Sequence, residues 1–137
     1  MFQKFIMFII AVIDEKYEVT TSDTSVVRGN TAVLRYDIDS ITDQFVEDVL
    51  GCRCSIPSLV KSFVEVRSWI HEGGTRGEIF PQLGSGGKYT ILPSGSLLVH
   101  HTSSYDGYKE YSCQTVNRLN KQTATTTTPA RLTITGQ

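Results

Sequence analysis

No stretch of this 137-residue chain is both apolar and long enough to cross a bilayer as a helix, which takes about 20 residues; the apolar run 5–13 has nine. With Lys4 before it, that run has the shape of a signal-peptide core, but Ile13-Asp14-Glu15 offers no small-residue cleavage site. Residues 1–16 therefore read as an apolar extension, signal-like or an artefact of the gene model. A surplus of positive charge is also missing, with 13 Lys and Arg against 14 Asp and Glu. Nucleic acid is an unsuitable partner for such a chain, because its phosphates call for a basic face. There is no Asn-x-Ser/Thr sequon, since Asn30, Asn117 and Asn120 all lack the hydroxyl two positions on, so glycosylation gives no guide to location. Cysteine is scarce and odd in number: Cys52, Cys54 and Cys113 allow one disulfide and one leftover thiol.

Catalytic patterns are equally thin. Gly84-Ser85-Gly86-Gly87-Lys88 is followed by Tyr89, where a phosphate loop needs Ser or Thr, and reads as a glycine-rich connection. His100 and His101 are adjacent, so on a strand they point to opposite faces and do not chelate together; with His71 they read as solvated or edge residues. No nucleophile-elbow sequence occurs. Cys52 has no basic helix terminus to lower its pKa. The expectation is a chain that is not an enzyme, with no catalytic, cofactor-binding or metal-binding residues and no small-molecule substrate.

What the chain does have is threonine, valine, isoleucine and tyrosine in short runs, the residues that suit a pleated, half-buried surface. Strands are predicted over 17–22, 25–27, 31–35, 63–70, 88–92, 96–101, 111–116 and 123–135. Turns fall at Arg28-Gly29-Asn30 and at Pro93-Ser94-Gly95, where proline presets φ and glycine accepts a positive one. Short strands punctuated in this way predict an all-β sandwich or barrel.

Four features then coincide. Cys54 and Cys113 are 59 positions apart, Trp69 follows Cys54 by 15, Tyr111 precedes Cys113 by two, and Asp106-Gly107 lies just upstream. The pattern resembles that of immunoglobulin domains: two cysteines on facing sheets, a tryptophan packed on their bridge, and a tyrosine at the corner before the second cysteine. The resemblance implies a Cys54–Cys113 disulfide, worth roughly 3–4 kcal/mol in the chain-entropy model, with Trp69, Tyr111 and Leu97 in the core. It implies a Greek-key sandwich of the I-set type.

Longer stretches sharpen it. Val27-Arg28-Gly29-Asn30-Thr31-Ala32-Val33-Leu34-Arg35, Cys54-Ser55-Ile56-Pro57-Ser58, Leu92-Pro93-Ser94-Gly95-Ser96-Leu97 and Asp106-Gly107-Tyr108-Lys109-Glu110-Tyr111-Ser112-Cys113 resemble the Dscam family of arthropods, over residues 17–35 and 54–137. The second, membrane-distal domain, whose first half is alternatively spliced, is the most similar. The family runs its arginine directly into the first cysteine; here the 18 residues 36–53 intervene. An insertion inside or before that central strand takes the cysteine out of its pairing register. Arg35-Tyr36-Asp37 and Cys52-Arg53-Cys54 can both be written with splice-site codons, so the insertion reads as a retained intron or gene-model error, with a genuine family-specific loop as the alternative. Residues 17–137 are then one domain interrupted at 36–53. Cys52 and Cys54 point the same way on a strand, and either can meet Cys113; the resemblance favours Cys54. Residues 49–54 can also replace 31–35 at the start of the central strand.

The resemblance implies an extracellular recognition module, part of a membrane-anchored protein, that binds another copy of itself in neuronal wiring and self-recognition. The first strands self-pair in that family, which puts Thr20, Thr21, Asp23, Thr24 and Ser25 forward as binding residues; a two-fold axis lets one strand pair with its own copy. Two other readings stand beside it: a recognition domain of a soluble immune receptor, and a non-functional fragment of a receptor gene.

Overall fold

A computed structural model describes residues 17–40, 45–49, 52–55, 63–81 and 87–136, and for 39–40, 45–49 and 52–55 the backbone alone. The strands in chain order are β1 (Tyr17–Thr21), β2 (Thr24–Val27), β3 (Ala32–Leu34), β4 (Tyr36–Ser40), β5 (Phe45–Val49), β6 (Cys52–Ser55), β7 (Val64–Gly73), β8 (Thr75–Ile79), β9 (Tyr89–Ile91), β10 (Leu97–Val99), β11 (Glu110–Asn117), β12 (Thr123–Thr125) and β13 (Ala130–Thr135), with one 3-10 turn at Ser104–Tyr108.

The larger sheet runs β2-β13-β11-β7-β8, with β12 also paired to β11. Opposite it lie β3-β10-β9 and the pair β1-β4. Arg35 alone separates β3 from β4, so the two form one continuous central strand that pairs with β10 at its start and with β1 at its end. The first strand of the domain is split: β1 runs antiparallel to β4, and β2 runs parallel to β13. The expected β-sandwich is the architecture found.

Alternation with period two builds the core. Along β11 every second residue is buried, Tyr111, Cys113, Thr115 and Asn117, and β3 and β10 bury Ala32, Leu34, Leu97 and Val99 the same way. Trp69, Tyr111, Leu34, Leu97 and Cys113 are fully buried in one cluster that joins both layers. The two inward polar residues of β11 have partners: the Thr115 hydroxyl donates to the Ala124 carbonyl at 3.3 Å, and Asn117 Oδ1 accepts from the Leu119 N–H at 2.8 Å.

Two local features differ from the sequence expectation. The strand predicted over 63–70 extends to Gly73 and turns back at once into β8, with Glu72 opposite Arg76 and Gly74 at φ +81°. Glycines that suggested a loop are the turn of a tight hairpin. The final strand is broken in two: β12 and β13 pair with different parts of β11, and Pro129, which has no N–H for a ladder, lies between them. Of the arrangements open for the central strand, the structure keeps Ala32–Leu34 in place and continues it with residues 36–40 from the inserted stretch. Residues 1–16, the signal-like extension included, lie outside the described residues.

Candidate interaction surface

The constellation read from the sequence assembles around β11. The Tyr111 hydroxyl donates to the Asp106 carbonyl at 3.1 Å, tying the 3-10 turn to the strand that follows it. Trp69 Nε1 donates to the Gly95 carbonyl at 2.8 Å across the sandwich. Gly95 sits at φ +92°, and a Cβ there would lie 2.6 Å from both Tyr36 and Val66, so the Pro93-Ser94-Gly95 turn needs glycine for its backbone and for space. The Asp106 carboxylate, 2% exposed, takes Lys88 Nζ at 2.8 Å and the Ser103 N–H at 2.8 Å. Sequence reasoning saw Asp106-Gly107 as a spacing mark and missed the ion pair, since Lys88 lies 18 positions away on the far side of a turn.

Cys113 is a free, buried thiol, and burial pushes its pKa up to about 12. Its backbone is clamped by Thr126, whose hydroxyl accepts the Cys113 N–H at 2.9 Å and donates to its carbonyl at 3.2 Å. The place after Leu34 and Arg35 on the central strand, where the resemblance puts the first cysteine, is held by Tyr36. That ring packs against the core, and its hydroxyl is raised above the usual phenol range by burial first and by the neighbouring Cys113 next. The backbone of Cys54 lies on β6, opposite Val46 of β5; its side chain is outside the described residues.

Residues 17–27 lie at the margin of both layers. β1 has β4 as its ladder partner, and β2 is the end strand of the larger sheet. Such an edge leaves backbone donors and acceptors able to pair with another chain. The five candidate residues on it do different things. Thr21 donates to the Thr128 carbonyl at 3.3 Å, and Thr24 donates to the Val33 carbonyl at 3.5 Å. Asp23 accepts the Arg131 N–H at 2.9 Å, which fixes the crossover from β1 to β2. Thr20 is half-buried opposite Asp37, and Ser25 is exposed. The outward faces also include Glu18 and Val27, the latter 52% exposed. Strand alternation carried a signal for these two, because Val19 and Val26 face inward.

The histidines are dispersed. His100 meets the hydroxyls of Thr31 at 3.3 Å and Thr90 at 2.9 Å, and His101 has a left-handed φ of 48°. His71 stacks on Tyr89 with ring centroids 5.1 Å apart; burial, and then Lys109, lower its pKa while Asp106 opposes them. Among the described residues no three His, Cys, Asp or Glu side chains gather as metal ligands.

Two packed β layers, a tryptophan between them and a tyrosine corner at the base of β11 define an immunoglobulin-type sandwich domain. No family model matches the chain. It is 37% identical over 125 residues, 91% of its length, to cell adhesion molecule Dscam1 of Drosophila melanogaster. Among solved structures it is similar to the N-terminal four Ig domains of Dscam1 isoform 6.9 (TM-score 0.68, 37% identity, 90% of this chain and 27% of that one). It is also similar to a structure described as showing the basis of Dscam isoform specificity (TM-score 0.67, 36% identity, 88% of this chain and 26% of that one). The chain is homologous to the immunoglobulin domains of the Dscam cell adhesion molecules, and it spans 5% of the length of Dscam1.

Proposed function

We propose that this domain is an extracellular, non-enzymatic recognition module that binds a second copy of itself through residues 17–27. The observation that carries the reading is the position of this one segment at the edge of both layers, with Glu18, Ser25 and Val27 turned outward. An antiparallel self-contact across a two-fold axis places each outward residue against the same strand of the other copy. Homology to cell adhesion molecules supports it, as does the isoform-specificity structure among its neighbours. In this reading residues 17–137 are one domain, equivalent to the second domain of the family, of I-set type because β2 runs parallel to β13. It is carried by a membrane-anchored parent in neuronal self-recognition. Residues 1–16 are an extension to it.

Asp23 is a poor probe, because changing it removes the bond to Arg131. Ser25→Arg and Val27→Arg leave the crossover intact and put like charges face to face in a symmetric dimer. Sedimentation equilibrium of the wild-type chain is expected to show a dimer that both variants weaken at least tenfold. A monomer at every concentration, or a dimer indifferent to both variants, would refute the reading.

A further inference from the structure

The inserted stretch is a copy. Residues 35–47 set against 53–65 share Arg35 with Arg53, Ile38 with Ile56, Ser40 with Ser58, Phe45 with Phe63, Val46 with Val64 and Glu47 with Glu65. Six identities in 13 positions stand out where ordinary residue usage gives about one. Self-similarity at a fixed offset marks a repeated structural unit, and a translated intron has no reason to resemble the coding sequence beside it. The backbone follows the same repeat. β4 begins at Tyr36, whose equivalent Cys54 lies within β6 (Cys52–Ser55); β5 begins at Phe45 and β7 at Val64, one position from equivalence. Each copy contains residues of one strand and, further on, the start of a second.

The domain has one place for the first strand of such a unit. It lies between β3 and the register of β1, where Thr21 pairs with Tyr36, Val19 with Ile38 and Glu18 with Asp39. In this structure the first copy holds it, while the second strand of the sandwich pair, β7, comes from the second copy. The outcome is a hybrid: β4 of copy one and β7 of copy two.

We propose that the two copies compete for the place against β1, and that exchange of the second for the first carries Cys54 to the position of Tyr36, beside Cys113. The exchange keeps what the place requires. Isoleucine again meets Val19, which is 1% exposed, and arginine again precedes the strand. Pro57 takes the register position of Asp39, opposite Glu18 near the end of the strand, where it gives up one backbone donor. At the position of Tyr36 the chemistry changes: a phenol beside a buried thiol becomes a second thiol. The exchanged state is trapped by oxidation. The Cys54 thiolate attacks oxidised glutathione and releases one reduced glutathione; the Cys113 sulfur, giving up its proton, then attacks the mixed disulfide and releases the second. Two electrons pass to the glutathione disulfide and one protein disulfide forms. Residues 36–53 are left as a surface excursion.

The test uses the full chain, refolded with reduced glutathione alone or with a reduced and oxidised mixture, then mapped by non-reducing peptide mass spectrometry and amide hydrogen exchange. In the reduced chain Cys113 is expected as a thiol, with amides 36–40 protected. In the oxidised chain Cys113 is expected linked to Cys54 in most molecules, with exchange at 36–40 at least tenfold faster while β1 stays protected. Cys54→Ser is expected to keep 36–40 protected in both buffers. Tyr36→Cys in a Cys52→Ser, Cys54→Ser background is expected to bridge to Cys113 directly, which checks the equivalence of the two positions without any exchange. A Cys113 that stays a thiol or links to Cys52 in the mixture overturns the proposal. So does a Cys54 bridge that leaves 36–40 protected, or a Tyr36→Cys chain with no bridge.

Discussion

Replacing Lys88 with methionine removes one charge and two hydrogen bonds, to the Asp106 carboxylate and the His101 carbonyl, and its effect on stability is expected to be large. The Asp106 carboxylate is 2% exposed and is held by Lys88 Nζ at 2.8 Å and by the Ser103 N–H at 2.8 Å. Methionine fills the space of the lysine stem and leaves the carboxylate with the Ser103 contacts alone. Breaking a buried pair by removing one partner costs about 3–5 kcal/mol, because the other charge stays behind uncompensated. The lysine side chain is 32% exposed, so water reaches the orphan in part, and the remaining N–H still solvates it. A loss of about 2–3 kcal/mol follows from these two reductions. For a domain of this size that is a fall in Tm of roughly 10 °C. Asp106→Asn keeps an acceptor for Ser103 and removes the charge, so the double variant Lys88→Met, Asp106→Asn is expected to be less destabilised than the sum of the singles by at least about 1 kcal/mol. Urea unfolding monitored by Trp69 fluorescence, with the slope checked for constancy, measures all four proteins. Single variants within about 0.5 kcal/mol of wild type, or a strictly additive double, would refute the claim that this pair organises the corner.

Two further outcomes are expected. Tyr111→Phe removes the 3.1 Å bond to the Asp106 carbonyl and leaves that acceptor buried, so equilibrium unfolding should show a loss of about 1–2 kcal/mol; no loss would mean that packing alone holds the corner. His71 has its pKa lowered by burial in the folded state, below the ordinary 6.5, so the unfolded chain binds the extra proton first. The stabilisation from its neutral form is present above pH 6.5 and declines as pH falls toward the lowered folded value. Thermal melts at pH 7.5 and 5.5 should therefore differ less in His71→Gln than in wild type, and equal differences would reject the assignment.

The strands that alternate cleanly were legible one by one. The two facing sheets were what the resemblance of Cys54, Trp69, Tyr111 and Cys113 to the immunoglobulin pattern implied, and the turn at Pro93-Ser94-Gly95 followed from proline and glycine chemistry. The hairpin of β7 and β8 was not legible, because Gly73-Gly74 signals a tight turn and a loose loop equally well. The segment proposed to bind was half legible. Its edge character follows from the fold, but Asp23 looks like a surface contact until the Arg131 N–H is seen against it, 108 positions later in the chain.

By itself the sequence determined the local quantities: which residues face inward along each strand and where the chain turns; that a tryptophan and a tyrosine pack near Cys113 was what its resemblance to immunoglobulin domains implied. It left open which stretch completes the central strand, since two similar segments satisfy the same local pattern. Tertiary structure decided that in favour of Tyr36, through the register with β1, the space above Gly95 and the thiol of Cys113. The physical reason is that alternation has a range of a few residues, whereas a choice between two competent strands depends on partners that are far along the chain and adjacent only after folding.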